Sequence, residues 1–191
     1  MKHSQNSEKV CKDKLLNLLA EKAYRFGDFK LSSGRQSNHY INCKPVSLDG
    51  EGLNLICQVF APFIAPDISS VAGLTLGADP LVSGMAMYAS QNGNKVDGLI
   101  VRKEAKGHGT GAFIEGPIPP RDSKVIVLED VVTTGNSSLK AVEKIRHAGL
   151  KVDIVLTLVD RQEGADEIMK EEKIDLISIF LLEDIIRKVS S

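Results

Sequence analysis

Five short apolar runs, "SSVAGL", "GLIVRK", "KVIVLED", "IVLTLVD" and "DLISIF", punctuate the chain from residue 69 onward. Helix-patterned stretches at 80–92, 137–149, 164–173 and 182–189 alternate with them. A strand with one wet face alternates polar and apolar residues, whereas these runs stay apolar on both sides of the pleat. They therefore predict a doubly wound α/β fold: a mainly parallel sheet of five strands with helices on both faces.

The residues ahead of this core read differently. Residues 8–24 are patterned as an amphipathic helix, with Val10, Leu15, Leu18, Leu19 and Ala23 at helical spacing. "FKLSSGRQSNHYINCK" reads as two short strands about a Ser-Gly turn, and "GEGLNLICQVFAPFIAP" as a helix closed by Pro66. The expectation is a single domain over 1–191: an N-terminal helix and small β flap, or hood, in 1–68, and the α/β core in 69–191. No repeat, linker or low-complexity tract divides it.

Composition excludes some classes of function. With a formal net charge of −1, no overall field draws nucleic acid or an anionic membrane. No apolar run approaches the ~18 residues of a membrane helix, and "MKHSQNSEKVCKDKLL" lacks the apolar core of a secretory signal. Three cysteines, Cys11, Cys43 and Cys57, without paired spacing argue against a disulfide framework or zinc site and point to a reducing cytoplasm.

In doubly wound sheets ligands bind outside the carboxyl ends of the strands. That rule selects segments 75–79, 102–116, 129–138 and 160–164. In the third, the run "VIVL" (125–128) leads into Glu129 and Asp130. Thr133, Thr134, Gly135, Asn136, Ser137 and Ser138 follow, and then a helix begins. A loop entering a helix N-terminus presents unpaired N–H groups and the positive end of the helix dipole, a cradle for an anion. The Gly-Lys-Ser/Thr of a nucleotide-triphosphate loop is missing, so one phosphate is the more natural cargo. Two acids beside a phosphate are costly unless they meet hydroxyl donors, a metal or a developing positive charge. A ribose 5-phosphate meets these needs together.

The second segment, "RKEAKGHGTGAFIEG" (102–116), gathers Arg102, Lys103, Lys106 and His108 among Gly107, Gly109 and Gly111. A pliable basic loop beside an anion site suits a polyphosphate that must be covered and neutralised as it departs.

The run from "VIVL" through Glu129-Asp130 to Thr-Thr-Gly-x-Ser resembles the 5-phosphoribosyl 1-diphosphate (PRPP) signature of type I phosphoribosyltransferases. Within them, "RKEAKGHG", "LSSGRQSNHYIN" (31–42) and "LVDRQEG" (158–164) resemble the orotate phosphoribosyltransferases. The resemblance implies that Arg102, Lys103, Lys106 and His108 meet the pyrophosphate end of PRPP. It implies that Glu129 and Asp130 bind the ribose hydroxyls, and that Val131, Val132, Thr133, Thr134, Gly135, Asn136 and Ser137 enclose the 5-phosphate. Thr133 and Arg161 would hold orotate, with Tyr40 and Ile41 flanking the base. Lys106, His108 and Asp130 would be catalytic, Lys106 and His108 reaching a neighbouring subunit's site in a homodimer. Mg²⁺ would be the cofactor, held mainly through PRPP oxygens with no direct protein ligand. Two positions depart from many relatives: Ser32 and Leu76–Gly77 stand where those carry lysine or an aromatic-lysine pair.

The same residues fit other classes less well. A flavodoxin-like FMN protein has a similar phosphate loop, but it needs aromatic residues to sandwich a flavin; this chain has no Trp and 5% aromatics. A PRPP-sensing regulator of the same fold tends to carry a basic nucleic-acid face. A third possibility is the same fold acting on a purine or another base; Arg161 and the 31–42 motif argue for orotate.

Overall fold

The computed structural model describes residues 2–30, 34, 36–105 and 112–190, the first six by backbone alone. The N-terminal helix, α1 (Lys2–Leu18), begins earlier than the apolar pattern and ends in a π turn over Leu19–Ala23. An antiparallel hairpin follows, β1 (Tyr24–Lys30) and β2 (Gln36–Ile41), pairing Tyr24 with Ile41. Its first strand starts five residues before the predicted segment, because Tyr24 and Ala23 are already drawn into the core. A short helix α2 (Lys44–Ser47) and α3 (Gly50–Phe60) complete the N-terminal part. Asp49 caps α3, accepting a hydrogen bond from the Gly52 N–H at 2.9 Å.

The core elements are β3 (Ile68–Leu74), α4 (Asp79–Gln91), β4 (Asp97–Val101), β5 (Ile114–Glu115), β6 (Lys124–Val132), α5 (Asn136–His147), β7 (Lys151–Asp160), α6 (Ala165–Glu171), β8 (Asp175–Leu181) and α7 (Leu182–Val189). The sheet order is β5-β4-β3-β6-β7-β8. Five strands are parallel, as the apolar runs require. The sheet has six strands rather than the predicted five. The sixth, β5, pairs antiparallel to β4 through Ile100–Glu115 and Val101–Ile114. Two residues are too few to show a period, so no sequence pattern announces this edge.

Each strand face is apolar for a visible reason. Ile126 and Leu128 of β6 join Leu15, Phe60, Met85 and Ile185 on one side of the sheet. Val125 and Val127 join Val142, Ile145 and Met169 on the other. Successive side chains of a strand point to opposite faces, so a strand covered by helices on both sides is apolar throughout.

Candidate active site

The sheet order reverses at β3: the chain moves outward to β4, then returns to place β6 on the other side of β3. This switch point opens a crevice at the carboxyl ends of β3 and β6. Three of the four predicted segments, 75–79, 129–138 and 160–164, leave strands β3, β6 and β7 at this edge, and the fourth leaves β4.

From β6 the chain delivers Glu129 and Asp130, both buried. Ser138 Oγ donates to Glu129 Oε2 at 2.7 Å. Burial, and after it the neighbouring Asp130 charge, pushes the Glu129 carboxyl up to about 8. The shift favours the protonated carboxyl, so the pair repels a phosphate less than two freely ionised carboxylates would. Asp130 Oδ1 accepts from the Val131 N–H at 3.0 Å, and Oδ2 lies 3.7 Å from Lys44 Nζ. The carboxylate also lies against the turn after β3: a Cβ on Gly77 would come 2.6 Å from Asp130 Oδ1. Any side chain at Gly77 would displace this acid. Leu76 beside it is exposed.

The helix following the acids starts without a lid of its own. Gly135 occupies the N-cap position of α5 at φ +81, a conformation open to glycine, and a Cβ there would come 3.1 Å from Met169 Cε. No side chain among the described residues caps α5. The first intrahelical bond runs from the Leu139 N–H to the Gly135 carbonyl, so the N–H groups of Asn136, Ser137 and Ser138 have no partner within the helix. Thr133 and Thr134 are half-buried beside them, Val131 is half-buried, Val132 is buried, and Asn136 and Ser137 are exposed. The residues of the expected cradle thus lie together at the start of α5, with its N–H groups unpaired within the helix.

Arg161 follows β7, and its own N–H donates to the Val132 carbonyl at 3.0 Å. Its guanidinium donates from Nε to Glu163 Oε1 at 2.8 Å, from Nη1 to the His39 carbonyl at 3.2 Å, and from Nη2 to Ser37 Oγ at 3.3 Å. The side chain is 6% exposed. Arg161 therefore ties the β2 strand of the flap to the sheet edge. A guanidinium has five N–H donors, so these bonds leave one on each terminal nitrogen for a carboxylate. On the flap, the Tyr40 ring is partly exposed and stacks on Phe29 at 5.1 Å between centroids. Ile41 is buried in the core, leaving its backbone rather than its side chain for a ligand. The imidazole of His39 meets the Tyr24 hydroxyl at 2.7 Å.

Of the basic segment, Arg102 and Lys103 leave the end of β4, and Lys106 and His108 lie outside the described residues, as does Ser32. The Arg102 N–H donates to the Phe113 carbonyl at 2.8 Å, and Nη1 lies 3.5 Å from Glu115 Oε1. Lys144 of α5 donates to the carbonyls of Arg102 and Lys103 at 2.7 and 2.9 Å, and stands 4.5 Å from the Phe113 ring centroid. Lys44, Ser138 and Lys144 are not among the residues singled out in the sequence. Ser138 stands in the hydroxyl-rich run, but only the fold turns it toward Glu129. The two lysines belong to no motif.

Hard oxygen donors suit Mg²⁺, which keeps waters and substrate phosphates among its ligands. Asp130 provides such an oxygen at the crevice, leaving the rest of the shell to water and substrate phosphates. Among the described residues no group of three His, Cys, Asp or Glu side chains converges.

A profile described as the phosphoribosyl transferase domain matches residues 68–186. The chain is 51% identical over 174 residues to orotate phosphoribosyltransferase of Thermosynechococcus vestitus, covering 91% of this chain and 92% of that protein. It is 48% identical over 172 residues to the protein of that name from Nostoc sp., covering 90% and 84%. The crystal structure of Mycobacterium tuberculosis orotate phosphoribosyltransferase in complex with PRPP is similar with a TM-score of 0.76 at 32% identity. That match covers 92% of this chain and 98% of that one.

Proposed function

The chain belongs to the type I phosphoribosyltransferases, and within them to the orotate phosphoribosyltransferase family; from that premise we propose that it transfers the 5-phosphoribosyl group of PRPP to orotate. The C1–O bond to pyrophosphate breaks with its electron pair on the departing oxygen, a bond from C1 to orotate N1 forms, and the N1 proton passes to the pyrophosphate or to solvent, giving orotidine 5′-monophosphate and pyrophosphate. The observation that carries this reading is the meeting, at one switch point, of the acid pair, the uncapped start of α5 and the flap-bound Arg161.

Each residue then has a task its surroundings support. The N–H groups at the start of α5, with the hydroxyls of Thr133, Thr134 and Ser137, hold the 5-phosphate. Glu129, protonated, and Asp130 meet the ribose hydroxyls. As the bond to pyrophosphate stretches, positive charge grows on the ribosyl ring, and Asp130 favours that state over the ground state. Arg161 offers its two remaining donors to the orotate carboxylate, with Thr133 nearby and Tyr40 and Ile41 bordering the base. Arg102, Lys103, Lys106 and His108 take the pyrophosphate. Orotate is anionic and a competent nucleophile, so the chemistry is positioning and electrostatics rather than base catalysis. Mg²⁺, when bound through PRPP oxygens, would neutralise part of the pyrophosphate charge.

Further parts of the reading rest on the family resemblance. All of 1–191 acts as one catalytic unit. It works as a homodimer in which Lys106 and His108 serve the partner's site. Its compartment is the reducing cytoplasm, a reading that the three free cysteines Cys11, Cys43 and Cys57 support. Among the described residues no helix is long and apolar enough to cross a membrane. The decisive assay incubates protein, Mg²⁺ and PRPP separately with orotate, uracil, adenine or hypoxanthine. Consumption of orotate alone is expected, and unconsumed orotate would overturn the reading.

A further inference from the structure

Lys44 stands at the first position of α2, two residues after the "LSSGRQSNHYIN" stretch and 86 residues before Asp130 in the chain. Its backbone is held firmly: the Lys44 N–H donates to Asn42 Oδ1, and Cys43 and Val46 on either side are completely buried. Its ammonium is not. Nζ lies 3.7 Å from Asp130 Oδ2, beyond hydrogen-bonding distance, and the side chain is 39% exposed against 13% for Asp130. A lysine is a point charge on a flexible stem, so a loose pair of this kind exchanges partners at small cost.

The position of the pair gives this looseness a use. The Asp130 carboxylate is bounded by Gly77 of the turn after β3, by its own Val131 N–H, and by Lys44. These groups form one wall of the crevice at the β3–β6 switch point. Of the other basic side chains placed there, Arg102 faces Glu115, and Arg161 is bound to Glu163 and the flap. Among the described residues, Lys44 is the cation placed within 4 Å of the Asp130 carboxylate. An anionic substrate entering there would otherwise meet a buried carboxylate directly, a repulsion that low polarity magnifies.

Building on the function proposed above, we propose that Lys44 is a substrate-binding residue: its ammonium turns from Asp130 to the pyrophosphate oxygens of PRPP as the ribose hydroxyls take over the carboxylate. The exchange leaves no charge unpaired in either state. The empty site keeps Asp130 compensated, and the filled site gives Asp130 its hydroxyl donors and the pyrophosphate a cation.

The test is steady-state kinetics of the full-length wild type, Lys44→Met and Lys44→Arg in both directions. Lys44→Met should raise KM for PRPP and for pyrophosphate about ten- to a hundredfold, the scale of one hydrogen bond to a charged group. KM for orotate and orotidine 5′-monophosphate should stay within about twofold. Lys44→Arg, which keeps the charge, should recover most of the loss. A merely structural lysine would move all four constants together or none, and either result overturns the proposal. If Lys44→Met fails to fold, Lys44→Gln, equally uncharged but polar, takes its place: a rise in KM confined to PRPP and pyrophosphate supports the proposal, and uniform loss or no change overturns it. A wild type that leaves orotate unconsumed overturns the function itself, whereas an active wild type with an unaffected Lys44→Met overturns this inference alone.

Discussion

Glu129 shows how one side chain sets the electrostatics of a site. Burial raises its carboxyl from 4.5 to about 8, Asp130 adds to the rise, and the Ser138 hydroxyl opposes it. The folded state holds a proton that the unfolded state has released at any pH between these values. Stability from this group is therefore full below about 4.5 and declines as pH rises toward about 8. Glu129→Gln mimics the protonated form and has no such dependence. In urea unfolding at pH 5, 6.5 and 8.5, the variant should gain on the wild type by a total on the order of a few kcal/mol. A difference that stays flat across that range would refute the buried proton. Ser138 stands in the hydroxyl-rich run of the sequence, but its bond to Glu129 depends on a contact nine residues back along the chain.

At the scale of the element, α5 has two working ends. Its start leaves N–H groups without a partner in the helix, and its last turn carries Lys144, Arg146 and His147, which suit the negative end of the helix dipole. Lys144 grips the carbonyls of Arg102 and Lys103 and covers Phe113, so one rigid helix connects the phosphate cradle to both flanks of the basic segment. Lys144→Met removes two charge-assisted hydrogen bonds at a partly exposed position, worth about 1–2 kcal/mol together. Steady-state assays should show KM for PRPP rising severalfold with KM for orotate nearly unchanged. A change confined to orotate would break the link between helix and basic segment.

At the scale of the whole molecule, the proposed exchange of Lys106 and His108 between subunits is testable by mixing. Lys106→Ala and Asp130→Asn should each be nearly inactive alone. Refolded together, half the dimers are hybrids with one site free of both lesions, so roughly a quarter of wild-type activity should return. No recovery would mean that each chain completes its own site. Much of this molecule was legible along the chain. The five parallel strands declared themselves because both faces of each are buried, and the glycine-led start of α5 because a helix start is written in consecutive residues. The antiparallel β5 did not, being too short to carry a period. Nor did Lys44 beside Asp130, or the bonds from Arg161 to His39 and Ser37, which span 122 and 124 residues. Local pattern records which face of an element is buried and where its backbone donors stay open, since both follow from neighbouring residues. Which distant charge arrives beside a given acid depends on how the flap and α2 pack against the sheet edge, and that is set by packing across the whole fold.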